Sequence, residues 1–408
     1  MFSNEEYNDR IRKTKQKMES EGIEVLLITN PANMNYLTGY DGWAFYVHQL
    51  LIVALELEEP IWAGRQMDAN GAKMTTWLKP ENIISYTDEY VQSAERHPMD
   101  FICSILKDKR LLGKSIAAEL DTYYFSSLCY ERLQNGMPNV QFKNGTGLVN
   151  HIRMIKSETE IEYMKRAARL VENAMRTGVD SLAPGVRECD VAADIYHAQI
   201  SGTEEFGGDY PAIVPLMPSG KKTSSPHLTW TDERYKPDDT VILELAGCYK
   251  RYHSPLARTI ILGQPSLHVR ELADVVLEGL NETLAIIRPG ITCEMVEEKW
   301  RKTIARHGYQ KDSRIGYSVG LNYPPDWGEH TASLRQGDKT ILQPNMTFHI
   351  IPGIWFEDYG VEFSETFRVT ESGCEILANF PRDLICKTED VPTIPFINHL
   401  NEGDGAGI

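Results

Sequence analysis

Apolar and polar positions alternate in blocks along this chain. Residues 5–22 are charged with apolar positions at helical spacing and end on Gly22, which predicts a helix. Ile23-Glu24-Val25-Leu26-Leu27-Ile28 follows as a buried strand, stopped by Asn30-Pro31. Leu50 to Leu57 and Ile61-Trp62-Ala63 predict two more strands around Glu59-Pro60. Met99 to Lys107 reads as a helix and Ser115 to Glu119 as another strand. Such alternation predicts a small α/β domain with a mixed sheet.

From residue 156 the pattern changes. KSETEIEYMKRAARLVENAMRTGVD has apolar residues near helical spacing, and Ser157 stands three before Glu160, the spacing of a capping box. A domain boundary is therefore expected near residue 150. Beyond it the chain repeats itself. LAPGVRECDV (182–191) matches IRPGITCEMV (287–296), each a Pro-Gly turn entering a helix. KPDDTVILE (236–244) matches QPNMTFHII (343–351), each a Pro turn feeding a strand. Pro184 and Pro289 are 105 positions apart, Pro237 and Pro344 107. Two copies at so long a period are no solenoid. They predict duplicated helix–helix–strand halves with a site in the cleft between them.

With 408 residues, 42% of them hydrophobic, the chain has material for two domains with real cores. A formal net charge of −16 repels nucleic acid and anionic membranes, so neither is an expected partner. The seven cysteines are widely spaced and contain no C-x-x-C, which argues against both a disulfide framework and a thiolate zinc site. The polar, acidic start MFSNEEYNDR does not read as a signal peptide, and no apolar stretch of about 20 residues exists, so a cytoplasmic location is expected.

The KSETEIEYMKRAA helix, the LAPGV and IRPGI turns, the ARTIILG strand end and GVEFSETFRVTESG together resemble the creatinase, aminopeptidase P and methionine aminopeptidase family, from about residue 5 to residue 375. The resemblance implies an α/β (α+β) fold. A creatinase-like N-terminal domain would span residues 1–150 and a pita-bread catalytic domain with internal pseudo-twofold duplication residues 151–387. A polar tail, 388–408, with two prolines would form a flexible end. It also implies a homodimer in which one subunit's N-terminal domain reaches toward the other's site. The family's five metal-ligand positions fall on Glu244, Pro255, Tyr317, Ile351 and Ser364. Proline and isoleucine have no donor atom, so neither a metal nor any other cofactor is expected. His227, in SSPHLTW, falls on a family histidine that moves protons in creatinase.

Within the family, TGYDGWAFYVHQ (38–49) and GLNYPPDWGEHTASLRQGD (320–338) resemble hydrolases that open a cyclic amidine. A small zwitterion of that class carries its own positive charge on the electrophilic carbon, which makes a metal Lewis acid dispensable. Its site needs a carboxylate, a proton shuttle, an aromatic wall and a cation for the substrate carboxylate. Glu244, mid-strand in an apolar run, is the expected base or nucleophile; the alternative is a salt bridge to Arg258 or Arg251. His227 is the expected shuttle. Tyr317 is expected to donate a hydrogen bond, and Glu362, sharing a strand face with Ser364, to reach the cleft. Trp43, Phe45 and Tyr46, with Trp355, are the expected aromatic wall; Glu329 and His330 the expected polar contacts; Arg335 (or Arg258) the anchor for the carboxylate. Other readings are a different creatinase-like amidinohydrolase, an Xaa-Pro aminopeptidase-like metallopeptidase, or a non-catalytic binding module.

Overall fold

The computed structural model describes residues 2–388; the polar tail beyond residue 388 lies outside them. The N-terminal region is built on a six-stranded mixed sheet. Its strands run in the order Ile83–Tyr86, Ile61–Arg65, Leu50–Ala54, Val25–Ile28, Ile116–Ala118, Lys143–Asn144. Val25–Ile28 is antiparallel to Leu50–Ala54 and parallel to Ile116–Ala118. All five residues of Leu50–Ala54 are buried because the sheet is covered on both faces, so its strands read as apolar runs rather than alternating ones. Asn30-Pro31 ends the first strand as expected, and the same dipeptide opens a helix that the sequence reading missed, Pro31–Thr38. The Asn30 side chain caps it through the Ala32 amide, 2.9 Å away, and proline sits at its first position, where no amide hydrogen is needed.

The helix Glu158–Ser181 begins with the expected capping box: the Glu160 amide donates to Ser157 Oγ at 3.3 Å, and the Ser157 amide to Glu160 Oε2 at 2.8 Å. The duplication is visible in backbone bonds. The Gly185 amide donates to the Tyr235 carbonyl and the Gly290 amide to the Leu342 carbonyl, at 2.8 and 2.9 Å. Both glycines have φ near +90°, which a side chain would oppose. Each turn leads into the second helix of a pair: Glu158–Ser181 with Glu188–Ser201, and Leu267–Leu284 with Cys293–Ala305.

The two helix pairs cover two sheets. A long hairpin, Thr240–Tyr249 and Tyr252–Ile261, turns through Lys250 and Arg251, both at positive φ, and takes Ile385–Cys386 at its edge. A five-stranded sheet follows, ordered Gly328–Ser333, Gly316–Val319, Thr347–Ile350, Glu365–Val369, Cys374–Ile376, with a separate Gly353–Trp355/Gly360–Glu362 ribbon. Apolar residues of each half pack beneath its helices. The buried polar side chains Glu244, His349 and Glu362 lie on the strands where the halves meet, with Ser364 just before the strand Glu365–Val369. Among the described residues no helix is long and apolar enough to cross a membrane.

Candidate active site

Strand register brings the site together. Glu244 lies opposite Ala257 in the long hairpin, and the Ala257 amide donates to Ser364 Oγ at 2.6 Å. Two residues earlier, the backbone of Glu362 is held by Thr259: the Thr259 hydroxyl donates to the Glu362 carbonyl (2.8 Å) and accepts from its amide (3.0 Å). Thr259 pairs with Ile242, two positions from Glu244 and on the same strand face. Glu362 and Glu244 thus face each other across the junction of the halves.

Neither carboxyl group is paired off. Among the described residues Glu244 makes no side-chain hydrogen bond or ion pair, and Glu362 Oε1 is buried without a partner. The salt bridges weighed as alternatives for Glu244 go elsewhere. Arg258 is committed to Glu365 at 2.7 Å and to the carbonyls of Ala257, Ser364, Phe380 and Pro381, and Arg251 bonds Asp41 at 3.0 Å. Burial pushes both carboxyls up: Glu362 to about 8, and Glu244 well above its ordinary value with the nearby Glu362 charge adding to the effect. Two like charges in one dry site resist ionising together, so the pair holds a proton near neutrality.

Tyr317 and His349 form the next layer. The Trp327 indole N–H donates to the Tyr317 hydroxyl at 2.8 Å, His349 Nδ1 stands 3.1 Å from the same oxygen, and His349 Nε2 stands 2.8 Å from Ser364 Oγ. Burial pushes the His349 imidazole down to about 3 and the Tyr317 hydroxyl well up, so both stay neutral. Across the site Lys311 Nζ lies 4.3 Å from the centre of the Trp355 ring. Burial lowers the Lys311 ammonium to about 8, although the Glu362 charge opposes the fall. Trp355 lies flat across Gly353 and Gly360, where a Cβ would stand 2.6 and 2.3 Å from its ring.

The remaining expected residues fall elsewhere. His227 is exposed on a loop whose next residue, Leu228, accepts a hydrogen bond from Met217, beside the Leu216–Glu244 bridge; among the described residues its ring has no hydrogen-bond partner. Glu329, expected to touch substrate, is 1% exposed and receives Lys156 at 2.5 Å and Arg153 at 3.3 Å, a buried ionic tie between the N-terminal region and the second sheet. His330 is exposed, bonded to Asp326 at 2.6 Å, and lines a separate cavity of about 350 Å³ with Glu119, Tyr123 and Tyr323. Arg335 projects from an exposed turn, 335–338, rather than into the junction. Trp43 packs on Phe45 and Tyr210 at 4.8 and 4.7 Å, and Phe45 reaches Tyr323; Trp43 and Tyr46 stay 56% and 67% exposed. Among the described residues the rings of this loop contact Tyr210, Tyr124 and Tyr323, and none is in contact with the carboxyl pair. Lys311 and His349 escaped the sequence reading. His349 carried a faint signal, a polar residue inside TFHII; Lys311, in a polar loop, carried none.

The donor set does not fit a dinuclear metal centre. Of the five family positions, Pro255 and Ile351 offer no donor, Ser364 Oγ already serves Ala257 and His349, and Tyr317 serves Trp327 and His349.

Comparison with known proteins accords with this architecture. Residues 162–371 match the model of metallopeptidase family M24, and residues 10–155 that of the creatinase/prolidase N-terminal domain. The chain is 44% identical over 393 residues to ectoine hydrolase of Halomonas elongata, covering 95% of this chain and 98% of that one. It is 26% identical to the Xaa-Pro dipeptidase of Pyrococcus horikoshii, covering 93% and 99%. The solved prolidase from Pyrococcus horikoshii OT3 shares the fold, with a TM-score of 0.77 at 24% identity over 92% of this chain and all of that one. The chain belongs to family M24, a family of hydrolases, and carries that family's creatinase/prolidase N-terminal domain.

Proposed function

We propose that this enzyme hydrolyses ectoine, a six-membered cyclic amidinium bearing a carboxylate, to N-acetyl-L-2,4-diaminobutyrate, and that it does so without a metal. The observation that carries the reading is the buried, unpartnered Glu244–Glu362 pair at a position where the family's donors are replaced. A cation between two desolvated carboxyls supplies the missing counter-charge. The likeness to a named ectoine hydrolase over nearly the whole of both chains supports the choice of cation.

Water adds to the amidinium carbon, one ring C–N bond breaks, and the nitrogen that leaves takes a proton; the other nitrogen keeps the acetyl group as an amide. The bound cation favours the ionised form of Glu244, which burial disfavours, and that carboxylate removes the proton from water or attacks the carbon directly. Glu362, holding the proton that the pair retains near neutrality, passes it to the leaving nitrogen. The neutral Tyr317 hydroxyl orients the Glu244 carboxylate, and Trp355 faces the planar cation. Lys311 takes the role first expected of Arg335 and Arg258, holding the substrate carboxylate. A second copy of the chain is the partner for the exposed Trp43–Tyr46 loop.

Proton NMR of ectoine incubated with chelator-treated enzyme tests the reading. A new N-acetyl methyl resonance is expected, and its coupled signals reveal which nitrogen keeps the acetyl group. Activity that appears only on adding a divalent metal, or cleavage of Xaa-Pro dipeptides in place of ectoine, overturns it.

A further inference from the structure

His48, His97 and Cys129 converge in the N-terminal domain from three separate segments. His48 precedes the strand Leu50–Ala54, His97 caps the helix Pro98–Asp108, and Cys129 lies in the first turn of Ser127–Gly136. One ligand atom from each falls within 4.8 Å of the other two. Cys129 Sγ is 3.5 and 3.6 Å from the two ring nitrogens of His48, and the His48 and His97 ring centres are 4.9 Å apart. His97 and Cys129 are buried and His48 half-buried, so the cluster is walled on most sides.

Two imidazoles and a thiol are a borderline-soft donor set, suited to zinc or cobalt(II) and poorly suited to magnesium or calcium. His48 is also bonded to the backbone of Tyr124. A backbone bond at one ring nitrogen is the arrangement that orients a ligating histidine and leaves its other nitrogen for the metal. We propose that His48, His97 and Cys129 form a site for one borderline divalent cation such as zinc, with water as fourth ligand, separate from the Glu244–Glu362 pair. The spacing of the cysteines concealed it because two of the three ligands are histidines far away in sequence.

Ligation replaces the Cys129 S–H hydrogen by the metal and releases one proton. His97 Nδ1 accepts the Met99 amide hydrogen at 3.1 Å, so binding through Nε2 moves the ring proton to Nδ1 and frees that amide. Metal binding is thereby linked to the start of the helix Pro98–Asp108.

Cobalt(II) titration of the full-length, chelator-stripped protein tests the site. One equivalent is expected, with a thiolate-to-cobalt charge-transfer band, faster hydrogen exchange at the Met99 amide, and competition by zinc. Cys129→Ala should abolish the band. His97→Asn, which keeps a capping side chain, should weaken binding at least about tenfold and keeps the test open if Cys129→Ala misfolds. Glu244→Gln should bind cobalt as the parent does. No thiolate band in the parent, a band that survives Cys129→Ala, parent-like affinity in His97→Asn, or binding lost in Glu244→Gln each overturns the proposal.

Discussion

Tyr317 and His349 stand directly opposite each other on antiparallel strands, with 3.1 Å between the hydroxyl and Nδ1. A neutral imidazole has one N–H. If Ser364, whose oxygen already accepts the Ala257 amide, donates to Nε2, the ring proton sits on Nδ1 and donates to Tyr317. With the Trp327 indole donating to the same oxygen, the Tyr317 hydrogen is committed to no other group and is free to turn toward the carboxylate that Glu244 becomes when a cation is bound. A chain of neutral hydrogen bonds thus occupies two family ligand positions, Tyr317 and Ser364. Tyr317→Phe should lower kcat about 100-fold with little change in KM, because it removes one aimed donor. Steady-state kinetics on ectoine check this; an unchanged kcat takes Tyr317 out of the reaction.

Glu244→Gln should reduce kcat by about 10³-fold or more while circular dichroism and thermal unfolding stay near those of the parent. The amide is nearly isosteric, and no hydrogen bond or ion pair to Glu244 is lost among the described residues. A near-normal rate would remove Glu244 from the mechanism.

The pair also sets a pH dependence. Burial raises the Glu362 carboxyl from its ordinary 4.5 to about 8, so between those values the folded protein binds more protons than the unfolded chain. Stability therefore falls as pH rises through this window. Thermal unfolding from pH 5 to pH 8 should show a falling Tm, and Glu362→Gln should lessen its slope, the remainder coming from Glu244, which burial also raises. In activity, kcat should decline above about pH 8 as the retained proton is lost. A Tm that climbs across this range contradicts the assignment.

Lys311→Met should raise KM for ectoine about tenfold to a hundredfold, the loss of one charge-assisted contact. An analogue lacking the carboxylate should bind the parent and Lys311→Met equally weakly. If the variant weakens both ligands alike, Lys311 acts on Glu362 or Trp355 and not on the substrate carboxylate.

Glu329→Gln should be a mutation of stability and not of chemistry. It leaves the Lys156 and Arg153 charges uncompensated in a buried tie, a loss of about 3–5 kcal/mol. Chemical denaturation measures the loss; activity per folded molecule should be close to the parent's.

Much of this protein was legible along the chain because it rests on local forces. The capping box at Ser157 and Glu160 needs only three residues of spacing, and the paired Pro-Gly turns at 184–185 and 289–290 need only local φ preferences. The absence of donor atoms at Pro255 and Ile351 is a property of residue type that no fold alters. The apolar run around Glu244 announced a buried carboxyl because burial follows composition. What the tertiary structure alone decided is which polar groups meet. Glu362 faces Glu244 because strands more than a hundred residues apart share a register through Thr259. Lys311 and His349 enter the site, and Glu329 is consumed by Lys156, through equally long-range packing. The coupling of two charges depends on their separation and on the water excluded between them, and neither quantity is written in the neighbourhood of a residue.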